Sequence, residues 1–311
     1  MNYVEKANQI ITSLGKIIIG KQETVTYSII TLLSEGHLLL EDVPGVGKTT
    51  LAKSIAAVTG CEFSRIQFTP DTLPSDVTGI TMYQMDKGSF TYIKGSVMSN
   101  IVLADEINRT SPKTQASLLE AMEEKQVTVD GTTHKLPAPF MVIATQNPST
   151  YLGTYHLPEA QMDRFFMRLS LGYPSNDAEK EMAHLYLTNE NWKRADAITD
   201  ATEIAHMQKE VSQVFVHEDI ISYILGILDK TRNHEYIKLG ISPRAMLALI
   251  RGSQARAYLT GRDHVIPEDT INLLKPMLLH RMILTNDAYL GQMTNEKILD
   301  AIRCSVKVPL L

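Results

Sequence analysis

A chain of 311 residues has room for two domains or one large one, and an apolar fraction of 44% is enough to bury a sizeable core. A net charge of −5 argues against a chain-wide grip on nucleic acid or anionic membrane, although a local basic groove stays open. The longest apolar runs fall far short of a membrane span, the first residues lack the apolar stretch of a cleaved leader, and the distant Cys61 and Cys304 suggest no structural disulfide, so a cytoplasmic location is expected.

Val4, Ala7, Ile10, Ile11 and Leu14 recur at helical spacing, so residues 2–15 are expected to form a helix ending at Gly15. A second helix is expected over 21–34. His37–Glu41 reads as a short buried strand, followed by a Gly/Pro loop and a helix over 49–58 that ends at Gly60. Residues 63–68 form a second expected strand. The turn-rich stretch 70–95 reads as a helix interrupted by a hairpin or loop insertion. Its methionines, Met82 and Met85, together with Met98, are taken as gap fillers in a core.

Asn100–Glu106 is an apolar run that ends in two carboxylates, which suits a central parallel strand. Residues 112–124 are expected to be helical. A hairpin is expected over 126–136, turning at Asp130-Gly131. Phe140–Pro148 is another buried strand with a polar end. Beyond Gly172–Pro174 the pattern becomes helical with almost no strand signal. Ile220, Ile221, Ile224, Leu225, Ile227 and Leu228 suggest one apolar face, and Ala245, Leu247, Ala248, Leu249 and Ile250 another. The expected architecture is an α/β domain followed by an all-helical one.

The sharpest chemical signal is Asp42-Val43-Pro44-Gly45-Val46-Gly47-Lys48-Thr49. It matches the phosphate-loop pattern G-x-x-x-x-G-K-[ST], except that Asp42 stands where the first glycine would be. Gly45 and Gly47 let the backbone bend so that its N–H groups point at phosphates, and the following helix adds its positive end. Lys48 would bridge the β- and γ-phosphates, and the Thr49 hydroxyl would ligate Mg2+. A plain flexible turn before a helix is the bland alternative, but an apolar strand on one side and a helix on the other favour the loop. A dinucleotide loop fails because Thr50 stands where G-x-G-x-x-G needs glycine.

Asp105 and Glu106 close the central strand. Behind a phosphate loop, one carboxylate can hold the Mg2+ shell and the other can polarise the attacking water. Alone, such a pair would be read as a solvated strand end. Asn147, at the end of the next strand, can position that water, although Asn before Pro148 is also an ordinary turn former. Arg164 and Arg244 could stabilise γ-phosphate charge; read by themselves they would be surface ion pairs. His217-Glu218 and His234-Glu235 begin like a zinc motif, but Ile221 and Lys238 stand where the second histidine should be.

Taken together, EDVPGVGKTTLAK, NIVLADEINRTSPKTQASLLEAMEEKQVTVDG, VIATQNP, LPEAQMDRF and GISPRA resemble the MoxR family of AAA+ ATPases over about residues 4–285. The resemblance implies a P-loop AAA+ core with a parallel sheet flanked by helices over residues 1–174 and a helical lid domain over 175–311. It assigns Pro44, Gly45, Val46, Gly47, Lys48, Thr49 and Thr50 to the nucleotide, and Gly20 to the stretch beside the adenine. Thr49 and Asp105 would face Mg2+, Glu106 would be the general base and Asn147 a sensor. Arg164 would be an arginine finger acting on a neighbour's ATP, and Arg244 a second sensor on the lid. Lys21 stands where the family usually has Gln, and Gly95-Ser96 where it has Gly-Pro. Asp42 fits the family's habit. The resemblance further implies a ring, usually a hexamer, with ATP at subunit interfaces. It also implies inserts over 70–95 and 126–136 that face the pore or substrate, and a separate partner carrying a von Willebrand factor A domain. The work expected is chaperone-like remodelling or metal-cofactor insertion in a client protein that no motif identifies.

The sequence leaves other function classes open. A small-molecule kinase would need an acceptor, and phosphate release without one separates the two. A non-catalytic ATP-gated scaffold sits poorly with Glu106, Asn147 and Arg164 together. A DNA-translocating motor would show salt-sensitive DNA binding, which the acidic balance argues against.

Overall fold

The computed structural model describes residues 2–86, 88–146, 157–188 and 194–309. The chain opens with two helices, α1 (Tyr3–Ile17) and α2 (Gln22–Leu33), ahead of β1 (Leu38–Glu41). Then follow α3 (Lys48–Val58), β2 (Phe63–Gln67), α4 (Pro74–Thr78), and a hairpin of β3 (Gly79–Gln84) and β4 (Ser89–Lys94). β5 (Ile101–Asp105) leads through α5 (Pro112–Glu124) to a second hairpin, β6 (Gln126–Val129) and β7 (Thr132–Lys135). β8 (Met141–Gln146), the short α6 (Glu159–Met162) and β9 (Met167–Leu169) complete the first part.

α1 runs two residues past the expected stop at Gly15. A glycine inside a helix costs about 1 kcal/mol but does not end it. The turn comes at Gly20, whose φ of +73° is the left-handed geometry that glycine tolerates. β9 was not expected at all. Its three residues are too few to show a period, and only pairing with β1 makes them a strand.

Five strands form a parallel sheet in the order β2-β5-β8-β1-β9. Because side chains alternate across a strand, the sheet feeds two apolar clusters. Leu38, Leu40, Ile101, Leu103, Met141 and Ile143 point into one, shared with α1, α2, α3 and the C-terminal helices. Leu39, Val102, Ala104, Val142 and Ala144 point into the other, under α5. β1 lies between β8 and β9, so the chain order reverses beside it. In open parallel sheets, ligands bind outside the carboxyl ends of the strands at such a point. The loop after β1 is the phosphate-loop sequence.

Residues beyond Pro174 form α7 (Asn176–Thr188), α8 (Ala201–Gln213), α9 (Glu218–Arg232), β10 (Ile237–Leu239), α10 (Pro243–Leu259) and α11 (Pro267–Leu278). A 3-10 turn (Leu279–Arg281), β11 (Ile283–Leu284), α12 (Asn286–Leu290) and α13 (Asn295–Ser305) follow. The small antiparallel pair β10–β11 is the strand content that the sequence did not announce. α1 is tied to this helical part by the Lys6–Glu203 ion pair at 2.6 Å and by an Asn8 side-chain bond to the Leu259 carbonyl. Leu225 and Leu247, read as apolar-face residues, are 44% and 62% exposed. Met82 and Met85 are exposed on the β3–β4 hairpin beside Tyr83 and Phe90, not packed as gap fillers; only Met98 leans on the core.

Candidate nucleotide-binding site

Two adjoining cavities open around the loop between β1 and α3. One, of about 390 Å³, is lined by Pro44, Gly45, Gly47, Lys48, Thr49, Thr50, Arg65, Gln67, Asp105 and Glu106. The other, of about 420 Å³, is more apolar and is lined by Ile17–Ile19, Lys21, Gly45, Val46, Gly47, Thr50, Tyr173, Pro174, Glu179 and Met182. They share Gly45, Gly47 and Thr50. A polar compartment joined to an apolar one suits a nucleotide's phosphates and its base. A larger groove of about 840 Å³ lies elsewhere, between β9, α11 and α13.

The loop owes its shape to two glycines. Gly45 and Gly47 have φ of +89° and +101°, and no atom stands within 4 Å of where a Cβ would be at either. Strain rather than crowding excludes other residues, and the open space is left for a ligand. Lys48 begins α3, is buried, and donates from Nζ to the Asp42 carbonyl at 2.8 Å. Burial holds its pKa below the usual lysine value, with the negative charges of Asp42, Asp105 and Glu106 working against that shift. A phosphate would supply the anion this ammonium is desolvated to meet.

Asp42 explains its own departure from the loop pattern. Its buried carboxylate accepts from Ser170 Oγ at 2.7 Å and from the Gly172 N–H at 3.0 Å, and also from the Leu171 N–H. It pins the entry of the loop to the segment after β9.

At the carboxyl end of β5, Asp105 accepts through Oδ1 from Thr145 Oγ1 at 2.6 Å and pairs through Oδ2 with Arg65 Nη2 at 2.7 Å. Glu106 has a left-handed backbone with φ of +56°. Its Oε2 accepts from Arg109 Nη1 at 2.8 Å and from Gln67 Nε2 at 3.2 Å. Arg65 also donates to Gln67 Oε1 at 2.8 Å, which links the two carboxylates through β2. Thr49 and Asp105 bring oxygen donors to the same cavity. Among the described residues no group of three or more His, Cys, Asp or Glu could hold a metal by itself. A metal at Thr49 and Asp105 would complete its shell with phosphate and water oxygens. That donor set fits Mg2+, which keeps most of its water and binds through few protein ligands.

Arg65, Gln67 and Thr145 were missed by the sequence reading. The sequence offers only Arg65 and Gln67 at i and i+2, on one face of an expected strand; that Gln67 lies opposite Asp105 comes from the pairing of β2 with β5. Thr145 is fully buried and also accepts the Glu106 N–H at 2.8 Å. Thr145→Val would orphan that N–H and one Asp105 oxygen. It is expected to lower unfolding free energy by about 1–3 kcal/mol in urea titration, with Thr145→Ser losing less than half as much.

Asn147 lies outside the described residues. Gly20 sits between Ile19 and Lys21 of the apolar cavity, and a Cβ there would stand 2.9 Å from Ala178 Cβ in α7.

Arg164 and Arg244 do not line the phosphate cavity. Both pair with Glu123 at the end of α5, Arg164 at 3.3 Å through Oε2 and Arg244 through Oε1. The neighbouring Met122 carbonyl bonds to His37, the residue before β1, and the His37 carbonyl accepts the Phe166 N–H just before β9. The two arginines therefore gather at the amino end of the sheet, whereas the phosphate loop leaves its carboxyl end. The four residues of β1 alone put roughly 13 Å between those ends.

Residues 37–167 match the family described as "ATPase family associated with various cellular activities (AAA)", and residues 229–302 match the "AAA lid domain". The chain is 48% identical to the uncharacterized protein YeaC of Bacillus subtilis over 298 residues, 96% of this chain and 93% of that one. It is 38% identical to the chaperone MoxR1 of Mycobacterium tuberculosis, covering 98% of this chain and 83% of the relative. A crystal structure from Cytophaga hutchinsonii, assigned as an ATPase, superposes with a TM-score of 0.92 at 38% identity, over 99% of this chain and 96% of the other.

Proposed function

The chain belongs to the MoxR family of AAA+ ATPases, and from that premise we propose that it works as a ring, a hexamer, whose ATP sites are each completed by the next subunit. It is an ATP hydrolase with an AAA core and a lid, and no helix among its described residues is long and apolar enough to cross a membrane. Residues 1–174 and 175–311 serve as the ATPase core and the lid. Pro44, Gly45, Val46, Gly47, Lys48, Thr49 and Thr50 cradle the phosphates, and Gly20 borders the base. Thr49 and Asp105 would hold Mg2+ from the protein side, and the ion would supply positive charge against the phosphates. Glu106 takes the proton of the attacking water, and Asn147 orients that water.

The observation that carries the ring is the placement of Arg164 and Arg244 on Glu123, at the far end of the sheet from the chain's own loop. Two guanidiniums share one carboxylate there, leaving net positive charge at a half-exposed surface. Such a pair cannot serve its own phosphate site, but it can serve a neighbour's. Arg164→Ala is expected to leave ATP affinity within about threefold and to cut turnover by about 10³-fold, as removal of an arginine finger does. Equilibrium titration and a phosphate-release assay measure the two. Wild-type turnover would remove Arg164 from the reaction.

The product of this chemistry is movement applied to a client protein. The relative named a chaperone supports that reading, as do the exposed apolar side chains Met82, Tyr83, Met85 and Phe90 on the β3–β4 hairpin. The partner expected for a motor of this family is a separate chain with a von Willebrand factor A domain, and the outcome is maturation or metal-cofactor insertion in the client. The site is expected to lie in the cytoplasm.

A further inference from the structure

Arg281 is not among the residues assigned to nucleotide or catalysis, yet it is the only arginine buried among the described residues, at 6% exposed. Its two terminal nitrogens are hydrogen-bonded, and its Nε contributes an ion-pair contact rather than a hydrogen bond. Nη1 donates to the Met277 carbonyl at 2.8 Å, and Nη2 donates to the carbonyls of Phe165 at 2.6 Å and Asp163 at 3.3 Å. Nε lies 3.0 Å from Asp163 Oδ1. The residue between Asp163 and Phe165 is Arg164. The adjacent His280 donates from Nε2 to the same Phe165 carbonyl at 3.1 Å, since a carbonyl can only accept. Burial lowers the Arg281 pKa to about 10, with the Asp163 charge working against the shift.

Asp163 also reaches a second lid element. Its Oδ2 accepts from Ser242 Oγ at 2.9 Å, and Ser242 caps α10 two residues before Arg244. One carboxylate thus joins the turn carrying Arg281, the helix carrying Arg244 and the backbone carrying Arg164.

We propose that Asp163 and Arg281 form a clamp by which the lid positions the main chain of Arg164, so that Arg164 and Arg244 move as one unit. A buried ion pair is a poor way to gain stability, because desolvation offsets most of the attraction. What it provides is geometry. Arginine's fixed fork reaches both carbonyls that flank Arg164, which a lysine's single ammonium cannot do. Arg281 is a positioning residue: it touches no nucleotide and acts through Arg164. The inference rests on the reading that Arg164 completes a neighbour's site.

The test uses Arg281→Lys, which keeps the charge and loses the fork, and the isosteric Asp163→Asn. Each is assayed as the full chain, with thermal unfolding recorded alongside. Expected is a kcat about 10- to 100-fold lower with KM for ATP within about twofold, as for a displaced catalytic group. Mixing either variant one to one with Lys48→Ala should raise turnover above that of both parts, because Lys48→Ala subunits still offer an intact Arg164. A general folding defect would not be rescued in that way. Should Arg281→Lys fail to fold, Asp163→Asn decides alone. Wild-type kcat in a folded clamp variant, with Arg164→Ala inactive, overturns the clamp and leaves the ring reading intact. A loss of kcat that mixing does not restore also overturns it. Full activity in Arg164→Ala instead overturns the reading beneath it.

Discussion

Glu106→Gln is expected to bind ATP as tightly as the unaltered chain, within about threefold, and to hydrolyse it about 10²- to 10⁴-fold more slowly, the contribution of a positioned general base. The substitution keeps the shape of the side chain and removes its basicity. Glu106 follows β5 with a left-handed backbone, and Arg109 and Gln67 hold its carboxylate at the mouth of the phosphate cavity. Neither contact depends on bound phosphate, so affinity rests on the loop and on Lys48. Binding is read by equilibrium titration and hydrolysis by phosphate release. Turnover at the normal rate would remove Glu106 from the role of base. The same variant, stalled with ATP, is the natural bait for the client protein.

Lys48→Ala is expected to weaken ATP binding by about 10²- to 10⁴-fold, the loss of two charge-assisted bonds at about 1.5–3 kcal/mol each. The lysine is the cation at the bend of the loop, and its ammonium is desolvated beside Asp105 and Glu106. Its ammonium also bonds the Asp42 carbonyl at 2.8 Å, so the unfolding temperature of the variant without ATP is the baseline for the comparison. What it should lose is the rise in unfolding temperature that added ATP produces, since only a ligand bound to the folded state shifts that equilibrium. An undiminished ATP-dependent rise would exclude Lys48 from phosphate contact.

What could be read from the sequence was what the chain keeps contiguous. Gly45, Gly47, Lys48 and Thr49 lie in one run bounded by a strand and a helix, and Asp105-Glu106 close an apolar run. Each motif carries its structural context in its flanks. The hairpins at 79–94 and 126–135 were legible for the same reason, because turn residues separate short β-rich pieces. The contacts that join distant segments were not legible. Thr145 meets Asp105 and Glu106 only because β8 pairs with β5. Glu123 meets Arg164 and Arg244 only when α5, the turn before β9 and α10 converge. Arg281 reaches Asp163 and Phe165 across more than a hundred residues of sequence. Local periodicity contains no information about such partners. The helix end was misread for a related reason: Gly15 and Gly20 look alike as letters, and only the backbone angle separates a tolerated glycine from a required one.

In the proposed ring each ATP site belongs to two subunits. Lys48→Ala and Arg164→Ala should each be nearly inactive alone, one for want of bound ATP and the other for want of an arginine to give its neighbour. Mixed one to one, they should regain measurable phosphate release, because an Arg164→Ala subunit keeps a working loop that a Lys48→Ala neighbour can complete. A mixture that assembles and stays as inactive as its parts would contradict the shared site and return both residues to a single chain's own site.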